Sequence, residues 1–319
     1  MKTAIVGLGV VSKVHIKILS GMGVEPVAVC DIDQTKLSEF RHVKGYSDYV
    51  TMLEESKPDI VHICTPHYLH ADMVIEALNR DINVLCEKPL CIKLEDIDRI
   101  LEAEKRSKAQ LGVCHQNRYN KENVFLKKYI EDKNVIGGFG NMIWLRGKEY
   151  YAKDEWRGKW DTEGGGVLIN QALHTLDLMQ WLVGMPSEVT ATISNLTLKD
   201  DIEVEDTASI ICSGSKNFNF FATNGGCSSF PVSVVIKTDE EVIHVLPNKV
   251  ITSTEIHDFK HDSRVYGKNC YGAGHNGLLR DFYDCVKTGR KFDIDGVEGS
   301  KVIRIILGAY KSNGRKIKI

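Results

Sequence analysis

Two stretches of the chain carry residues whose types and spacing suit proton transfer. Glu87-Lys88-Pro89 ends the apolar run INVLC. Ligands of open parallel sheets bind outside the carboxyl ends of the strands, so a lysine there is delivered to a binding crevice. Pro89 withholds an N–H and stiffens the turn. The second stretch runs from Gly164-Gly165-Gly166 through Asn170, Gln171 and His174 to Asp177. Asn170, His174, Asp177 and Trp181 recur at i, i+4, i+7 and i+11 and share one helical face, while Leu168, Ile169, Leu173, Leu176 and Met179 crowd the rest. A polar stripe on an apolar helix needs partners or a cleft. Lysine and histidine can take and return a hydroxyl proton, whereas the Asn170 amide cannot act as a base and can only orient a substrate hydroxyl. Each stretch has a plainer reading: a surface turn for Glu87-Lys88-Pro89, and a core histidine bonded to Asp177 for His174.

A third pattern binds rather than reacts. Gly7-Leu8-Gly9-Val10-Val11-Ser12 follows the run TAIVGL and opens a helix, the context a dinucleotide fingerprint requires. Gly7 allows the tight turn, Gly9 lets backbone approach a pyrophosphate, and the N–H groups from Val10, Val11 and Ser12 open the helix toward that anion. Ser12 stands where a third glycine is usual. Asp31, followed by Ile32, ends the next apolar run about twenty residues on, where a carboxylate accepts both adenosine ribose hydroxyls. With Asp33 close by, it favours NAD over NADP, whose 2′-phosphate the two acids repel. The alternatives are a glycine turn in another α/β fold and an Asp31 that only caps the next helix.

These residues need strand ends and a helix to hold them. The first third alternates short β-rich runs with helical stretches and calls for a doubly wound parallel sheet covered on both faces. From Phe139 the pattern turns to alternating strands (MIWLRGKEYY, EVTATISNLTL, DTASIICS, NFNFFATN, VSVVIKT, EVIHVL), which suit a large, mainly antiparallel open sheet. Helices are expected over Val167 to Val183, Leu278 to Val286 and Gly299 to Ser312. The predicted fold class is α/β: a dinucleotide-binding domain over residues 1–118 and a substrate-binding and oligomerisation domain over 119–319.

Composition narrows the partners. The 319 residues are 43% hydrophobic and 26% charged with a net charge of -2, so no broad basic surface is available for nucleic acid. The basic cluster Lys311, Arg315, Lys316 and Lys318 reads as a solvated terminus. Nine cysteines, none in C-x-x-C spacing, suggest reduced, buried thiols and neither a disulfide framework nor a metal site. No apolar run reaches membrane-spanning length, and the opening residues do not complete a signal peptide, so a cytoplasmic protein with no membrane partner is expected.

Taken together, the N-terminal GLGVVS, the segment from Thr65-Pro66-His67 to His70, Glu87-Lys88-Pro89, GGGVLINQALHTLD and YGAGHNGLLRDFYDCVKTGR resemble the Gfo/Idh/MocA oxidoreductases over nearly the whole chain. The resemblance implies an N-terminal Rossmann domain, a C-terminal α/β domain, a homodimer or homotetramer packed through the second sheet, and Lys88 and His174 as the catalytic pair. It also implies Thr65, Pro66, His67, His70, Glu87, Lys88, Trp156 and Arg157 near the cofactor. Asn117, Tyr151, Trp156, Arg157 and Asn170 join Lys88 and His174 as substrate contacts. Asn170 departs from the aspartate that many sugar and inositol dehydrogenases of that family carry there. The implied activity is hydride transfer between NAD(P) and a hydroxyl-bearing carbon of a sugar, sugar derivative or cyclitol. A glycosidase that oxidises its sugar transiently and a non-catalytic sensor are the alternatives.

Overall fold

A computed structural model describes residues 1–260 and 273–319. By their internal contacts the described residues form two compact units, 1–116 with 273–300, and 117–260 with 301–319. A reading as two consecutive domains divided near residue 119 does not see the later return of the chain to the first unit.

The first unit winds β1 (Thr3–Val6), α1 (Val10–Gly21), β2 (Pro26–Cys30), α2 (Gln34–Leu37), β3 (Lys44–Tyr46), α3 (Tyr49–Ser56), β4 (Ile60–Ile63), α4 (His70–Leu78), β5 (Asn83–Cys86), α5 (Leu94–Arg106) and β6 (Leu111–Val113). The six strands pair in parallel in the order β3-β2-β1-β4-β5-β6. The central strands β1, β4, β5 and β6 are buried on both faces, as in Ala4, Ile5, Val61, Val84 and Leu85, which is why they read as unbroken apolar runs rather than alternating ones.

The second unit begins with α6 (Lys121–Tyr129), β7 (Val135–Ile143), α7 (Lys148–Tyr151), a π-helical turn (Leu168–Ala172) and α8 (Leu173–Val183). Its remaining strands are β8 (Glu188–Ser194), β9 (Thr207–Ser213), β10 (Asn217–Thr223), β11 (Ser233–Thr238), β12 (Val242–Leu246), β13 (Lys249–Ile251), β14 (Ile256–Asp258) and β15 (Ile317–Lys318). They form a nine-stranded sheet in the order β14-β13-β12-β11-β7-β10-β9-β8-β15, antiparallel except for the parallel pair β7 and β10. The expected strand MIWLRGKEYY is corrected: the strand runs earlier, from Val135, and Lys148–Tyr151 is helical. Gly137, Gly138 and Gly140 dilute the β signal of its first half. Inner-face residues such as Val189, Ile210, Phe218, Phe220, Val234 and Ile236 are buried.

The last helices are α9 (Gly274–Thr288) and α10 (Gly296–Ser312). The face of α9 explains why its segment joins the first unit. Phe282 fills the space over Gly112, where a Cβ would come within 2.7 Å of its ring, and it packs edge-on against Phe292 at 5.2 Å. Tyr283 reaches Thr3 Oγ1 of β1 at 2.8 Å. Phe282→Ala should therefore cost about 3 to 5 kcal/mol, the usual price of emptying a buried aromatic site, read from urea unfolding. A loss under about 1 kcal/mol, typical of surface changes, would show that α9 is not part of this core.

Candidate functional site

In the first sheet, register carries one residue of each central strand to a common edge. Val6 is level with Cys30 and Ile63, and Ile63 with Cys86, so Gly7, Asp31, Cys64 and Glu87 follow their strands side by side. The winding reverses between β1 and β4, where doubly wound sheets open a crevice. Gly7 has φ +83°, and a Cβ on it would lie 2.6 Å from the Cys64 carbonyl oxygen. Only glycine lets the chain turn so close to β4. Gly9 caps α1 with no side-chain hydrogen bond, and a Cβ on it would meet nothing within 4 Å. The helix therefore opens on an uncrowded approach that suits an anion such as a pyrophosphate. Val10 is 65% exposed beside it, Val11 is half-buried, and buried Ser12 donates to the Gly9 carbonyl at 2.7 Å.

Asp31 is buried, and its two oxygens accept the N–H groups of Leu8 at 2.7 Å and Asp33 at 2.9 Å. Lys36 Nζ lies 3.4 Å away. The carboxylate thus braces the glycine turn. Helix capping, the alternative for Asp31, falls instead to Asp33, which accepts from the Thr35 N–H. Ile32 is 88% exposed.

Lys88 is half-buried and its bond to Pro89 is cis. The turn is held from below by Glu87, whose Oε2 accepts the Lys88 N–H at 3.2 Å while Oε1 faces His15 Nε2 at 3.0 Å and His275 Nε2 at 3.3 Å. His15 Nδ1 continues to His62 Nδ1 at 2.8 Å, and His62 Nε2 to the Tyr283 hydroxyl at 2.9 Å. One assignment of protons satisfies the whole chain: His15 charged and donating at both nitrogens, His62 neutral, and Tyr283 donating to Thr3. Burial opposes a proton on His15, but Cys64 and Glu87 raise its pKa to about 9. Burial raises the Cys64 thiol against the pull of His15, and Glu87 lies within hydrogen-bond distance of His15 as its carboxylate partner. Burial would also raise Glu87, yet hydrogen bonds from His15 and His275 hold it well below the usual carboxylate range. Burial and the neighbouring charge on His15 push His62 down. The ligand-type atoms of His15, Glu87 and His275 lie within 4.8 Å of one another; this spacing is already met by hydrogen bonds with balanced charge.

His70, expected near the cofactor, has another task. It is fully buried, with Nδ1 2.6 Å from the Pro89 carbonyl and Nε2 2.8 Å from that of Thr65; burial lowers its pKa, so the neutral ring donates to one of these carbonyls and is wedged between the loop after β4 and the Lys88 turn. Thr65 and Pro66 are half-buried and His67 is buried on that loop.

The second unit gathers the remaining expected residues around Gly164-Gly165-Gly166. Gly165 has φ +143° and passes under Tyr310, whose hydroxyl would lie 2.0 Å from a Cβ there. Glu205 accepts the N–H groups of Gly166 at 2.8 Å and Leu168 at 2.9 Å. Burial lifts its carboxyl to about 7 against those bonds. The π-helical turn that follows takes Asn170 out of the regular α-helical spacing, and the expected stripe divides. Asp177 receives Arg118 through Nε at 2.8 Å and Nη2 at 2.6 Å, with Gln180 at 3.1 Å, and the Arg118 guanidinium also lies over Trp181 at 5.4 Å. Asn170 instead donates to Glu163. His174 is half-buried.

Tyr151, an expected substrate contact, is buried against Leu198, Ile202 and Val204 with its hydroxyl on Asn224 at 2.9 Å. It is a core residue, and Tyr150 takes the polar position. The Tyr150 hydroxyl meets Arg157 at 2.6 Å, Gln171 at 3.0 Å and Asn170 at 3.3 Å. Arg157 stacks over Trp156 at 4.5 Å and binds Asp154 at 2.7 Å, so the Trp-Arg run is an ordered cluster rather than a solvated loop. Asn117 is half-buried and holds Asn123 through its carbonyl at 2.8 Å. Sequence reasoning passed over Tyr150, Glu163, Gln171, Glu205 and Arg118. Only Glu163, an acid directly before three glycines, carried a local signal.

The fold and the two groupings define a two-unit α/β protein with a dinucleotide-binding first unit. The chain belongs to the GFO/IDH/MocA family: residues 1–115 match the oxidoreductase family with an NAD-binding Rossmann fold, and residues 136–223 its C-terminal domain. Inositol 2-dehydrogenase of Salmonella typhimurium is 32% identical over 193 residues, 57% of this chain and 54% of that protein. The chain thus spans about half the length of such curated relatives. The WlbA dehydrogenase of Bordetella pertussis, solved with NADH and UDP-GlcNAcA, is 27% identical with TM-score 0.87 over 100% of this chain and 98% of its own. A levoglucosan dehydrogenase solved with NADH shares the fold at TM-score 0.87 and 19% identity. Of the matching C-terminal segment, Tyr271 and Gly272 lie outside the described residues.

Because His15 holds its proton more tightly folded than unfolded, the pair's contribution to stability is complete below pH 6.5 and is lost as the pH rises through about 9. Glu87, held low, acts on the acid side, and its contribution is lost as the pH falls below 4.5. Replacing His15 with Asn should destabilise the protein by about 3 to 5 kcal/mol at neutral pH and flatten the alkaline decline in urea midpoints between pH 6 and 10. An unchanged alkaline limb would place that proton elsewhere.

Proposed function

We propose that this chain is an NAD(P)-dependent oxidoreductase, with NAD preferred, that moves a hydride between the nicotinamide and a hydroxyl-bearing carbon of a sugar, sugar derivative or cyclitol. The observation that carries the reading is the alignment of Gly7, Asp31 and the Lys88 turn along one strand-end edge. Gly9 supports it, since its uncrowded helix opening fits a pyrophosphate. The bound nicotinamide supplies hydride acceptance or donation at its C4 position. Lys88 and His174 handle the proton: as the carbinol C–H bond breaks, the hydroxyl proton passes to this pair and the alcohol becomes a carbonyl. In the reverse direction the same groups return the proton to the oxygen. Asn170 orients a substrate hydroxyl, and Trp156 and Arg157 border the nicotinamide and substrate. The inositol and sugar-type ligands of the relatives support a polyhydroxylated substrate.

The chain is also proposed to act as a homodimer or homotetramer. Across the outer face of the second sheet, register aligns Thr190, Ile211, Asn219, Phe139, Val235 and His244 in one row. Ile211 is 52% and Phe139 41% exposed there, large apolar side chains of the kind that a second copy covers. A cytoplasmic setting is supported by eight free cysteines among the described residues, seven of them buried. No helix among the described residues is long and apolar enough to cross a membrane.

A screen of polyols and sugars for NADH absorbance, run with NAD+ and NADP+, should find a substrate and a preference for NAD+. Lys88→Ala and His174→Ala should each lower turnover by about a hundredfold to ten-thousandfold with NAD+ affinity little changed. Near-normal turnover in either variant would remove that residue from the chemistry. Sedimentation at micromolar concentration should give a dimer or tetramer, and Phe139→Glu should shift it toward monomer; a monomeric parent protein would refute the assembly.

A further inference from the structure

The three glycines before the helix that carries Asn170 and His174 have no side chains with which to cap it. Asn170 donates to the Gly166 carbonyl at 3.1 Å, whereas the N–H groups of Gly166, Val167, Leu168 and Ile169 have no earlier helical turn to bond. Glu205, buried just ahead of β9, takes the first three. Its Oε2 accepts from Gly166 at 2.8 Å, its carbonyl from Val167 at 3.0 Å and its Oε1 from Leu168 at 2.9 Å. The Tyr310 hydroxyl of α10 donates to Oε1 at 3.0 Å and takes a bond from the Ile169 backbone. The Tyr310 ring packs edge-on against Trp160 at 5.1 Å. A Cβ on Gly165 would strike that hydroxyl, and one on Gly166 the Glu205 carbonyl, so two of the glycines are there to admit partners from far along the chain. All of these residues belong to the second unit.

We infer that Glu205 and Tyr310 are positioning residues, a two-part cap that sets where the helix of Asn170 and His174 begins and grips it most tightly when Glu205 is ionised. A carboxylate at a helix N-terminus is favoured by the helix dipole as well as by its hydrogen bonds. Its donors here are all neutral. The titratable groups that face the cap are Tyr310 from α10, Tyr151 from α7 and Glu163 from the loop before the glycines, and none of these is a cation. Burial therefore outweighs the bonds and lifts the Glu205 carboxyl to about 7, while burial and the Glu205 charge push the Tyr310 hydroxyl up, so that it remains a donor. A proton added to Glu205 meets N–H groups on both oxygens. Only the Tyr310 oxygen can accept it, and that hydroxyl must then turn its own proton away. Protonation thus costs the cap one bond and lets the helix start shift, with Asn170 and His174 on it. The effect on turnover rests on the oxidoreductase reading; the cap does not.

The full-length chain tests this first without ligand and then in turnover. At about pH 8, hydrogen exchange at the amides of residues 166–169 should be about tenfold or more faster in Glu205→Gln than in the parent protein, the worth of a charge-assisted hydrogen bond, with exchange in β12 unchanged. Unmoved amides at 166–169, or equal acceleration in β12, overturns the cap. In protein labelled with 13C at its glutamate carboxyls, the Glu205 signal, assigned by its loss in Glu205→Gln, should titrate at about 7. Tyr310→Phe removes a donor to the carboxylate and should raise that midpoint. A midpoint in the ordinary carboxylate range, or one that Tyr310→Phe leaves in place, overturns the proton-sensitive grip. The kinetic arm uses the polyol with the highest turnover in the NADH screen. Glu205→Gln should lower kcat about tenfold or more with NAD+ affinity unchanged, and Tyr310→Phe should move the acid limb of kcat to higher pH together with the carboxyl midpoint. General damage would lower turnover at every pH without moving that limb, so a limb that stays in place overturns the positioning role. If Glu205→Gln fails to fold, Tyr310→Phe alone should speed exchange at Ile169 and move the acid limb; failure of either overturns the proposal. Absence of turnover with every polyol refutes the oxidoreductase reading, while exchange and titration still decide the cap.

Discussion

Buried carboxylates that accept backbone N–H groups hold the glycine turn after β1, the Lys88 turn, the loop at Gly158 and the start of the helix that bears Asn170. Glu87 takes the Lys88 N–H, Asp31 those of Leu8 and Asp33, Glu205 those of Gly166 and Leu168, and Glu163 that of Gly158. A loop leaves N–H groups without strand or helix partners, and an unpaired buried one costs about 1 to 3 kcal/mol. An ionised acceptor meets that demand with shorter, stronger bonds than a neutral one. The protein uses its acids inside, at turns, to fix geometry.

Each buried acid in turn needs an opposing charge or enough donors. Glu87 has both, in His15 and His275, and the chain of rings extends through His62 to Tyr283 and Thr3. Thus β1, α1, β4, the Lys88 turn and α9 are joined by one set of protons. Removal of any member leaves a neighbour unsatisfied in a place where water cannot replace it. Glu205 has only neutral donors, which is why burial carries its carboxyl up to about 7 while Glu87 stays low. The two acids share a role as loop anchors and differ in charge state because only one has a cation beside it.

The second unit builds its polar cluster on an interrupted helix. Glu205 anchors the start, the π-helical turn at Leu168–Ala172 shifts Asn170, and α8 resumes with His174 half-buried and Asp177 buried. Turns of this kind often mark functional positions in helices. Asp177 and Trp181 then meet Arg118, and Asn170 and Gln171 meet Tyr150 and Glu163. The fold alone selects no substrate, because the same scaffold serves many; the donors and acceptors of this cluster are where a substrate class would be chosen.

The order of residues alone places the parallel first sheet, the glycine turn, Asp31 and Lys88 at a strand end, because these follow from local apolar runs and glycine spacing. It also places the helix through His174, since the largely apolar run 167–183 directly after three glycines leaves little alternative. It could not show that Asp31 braces Leu8, that His70 is a clamp, that Tyr150 rather than Tyr151 is polar, or that Arg118 claims Asp177. Those outcomes depend on partners from 5 to 73 residues away in the chain. Helical spacing also assumed 3.6 residues per turn, and the π-helical turn broke it at Asn170. Periodicity reports which residues face a core; only the folded chain decides which polar groups, once buried, find each other, because that choice is made by distance and not by sequence order.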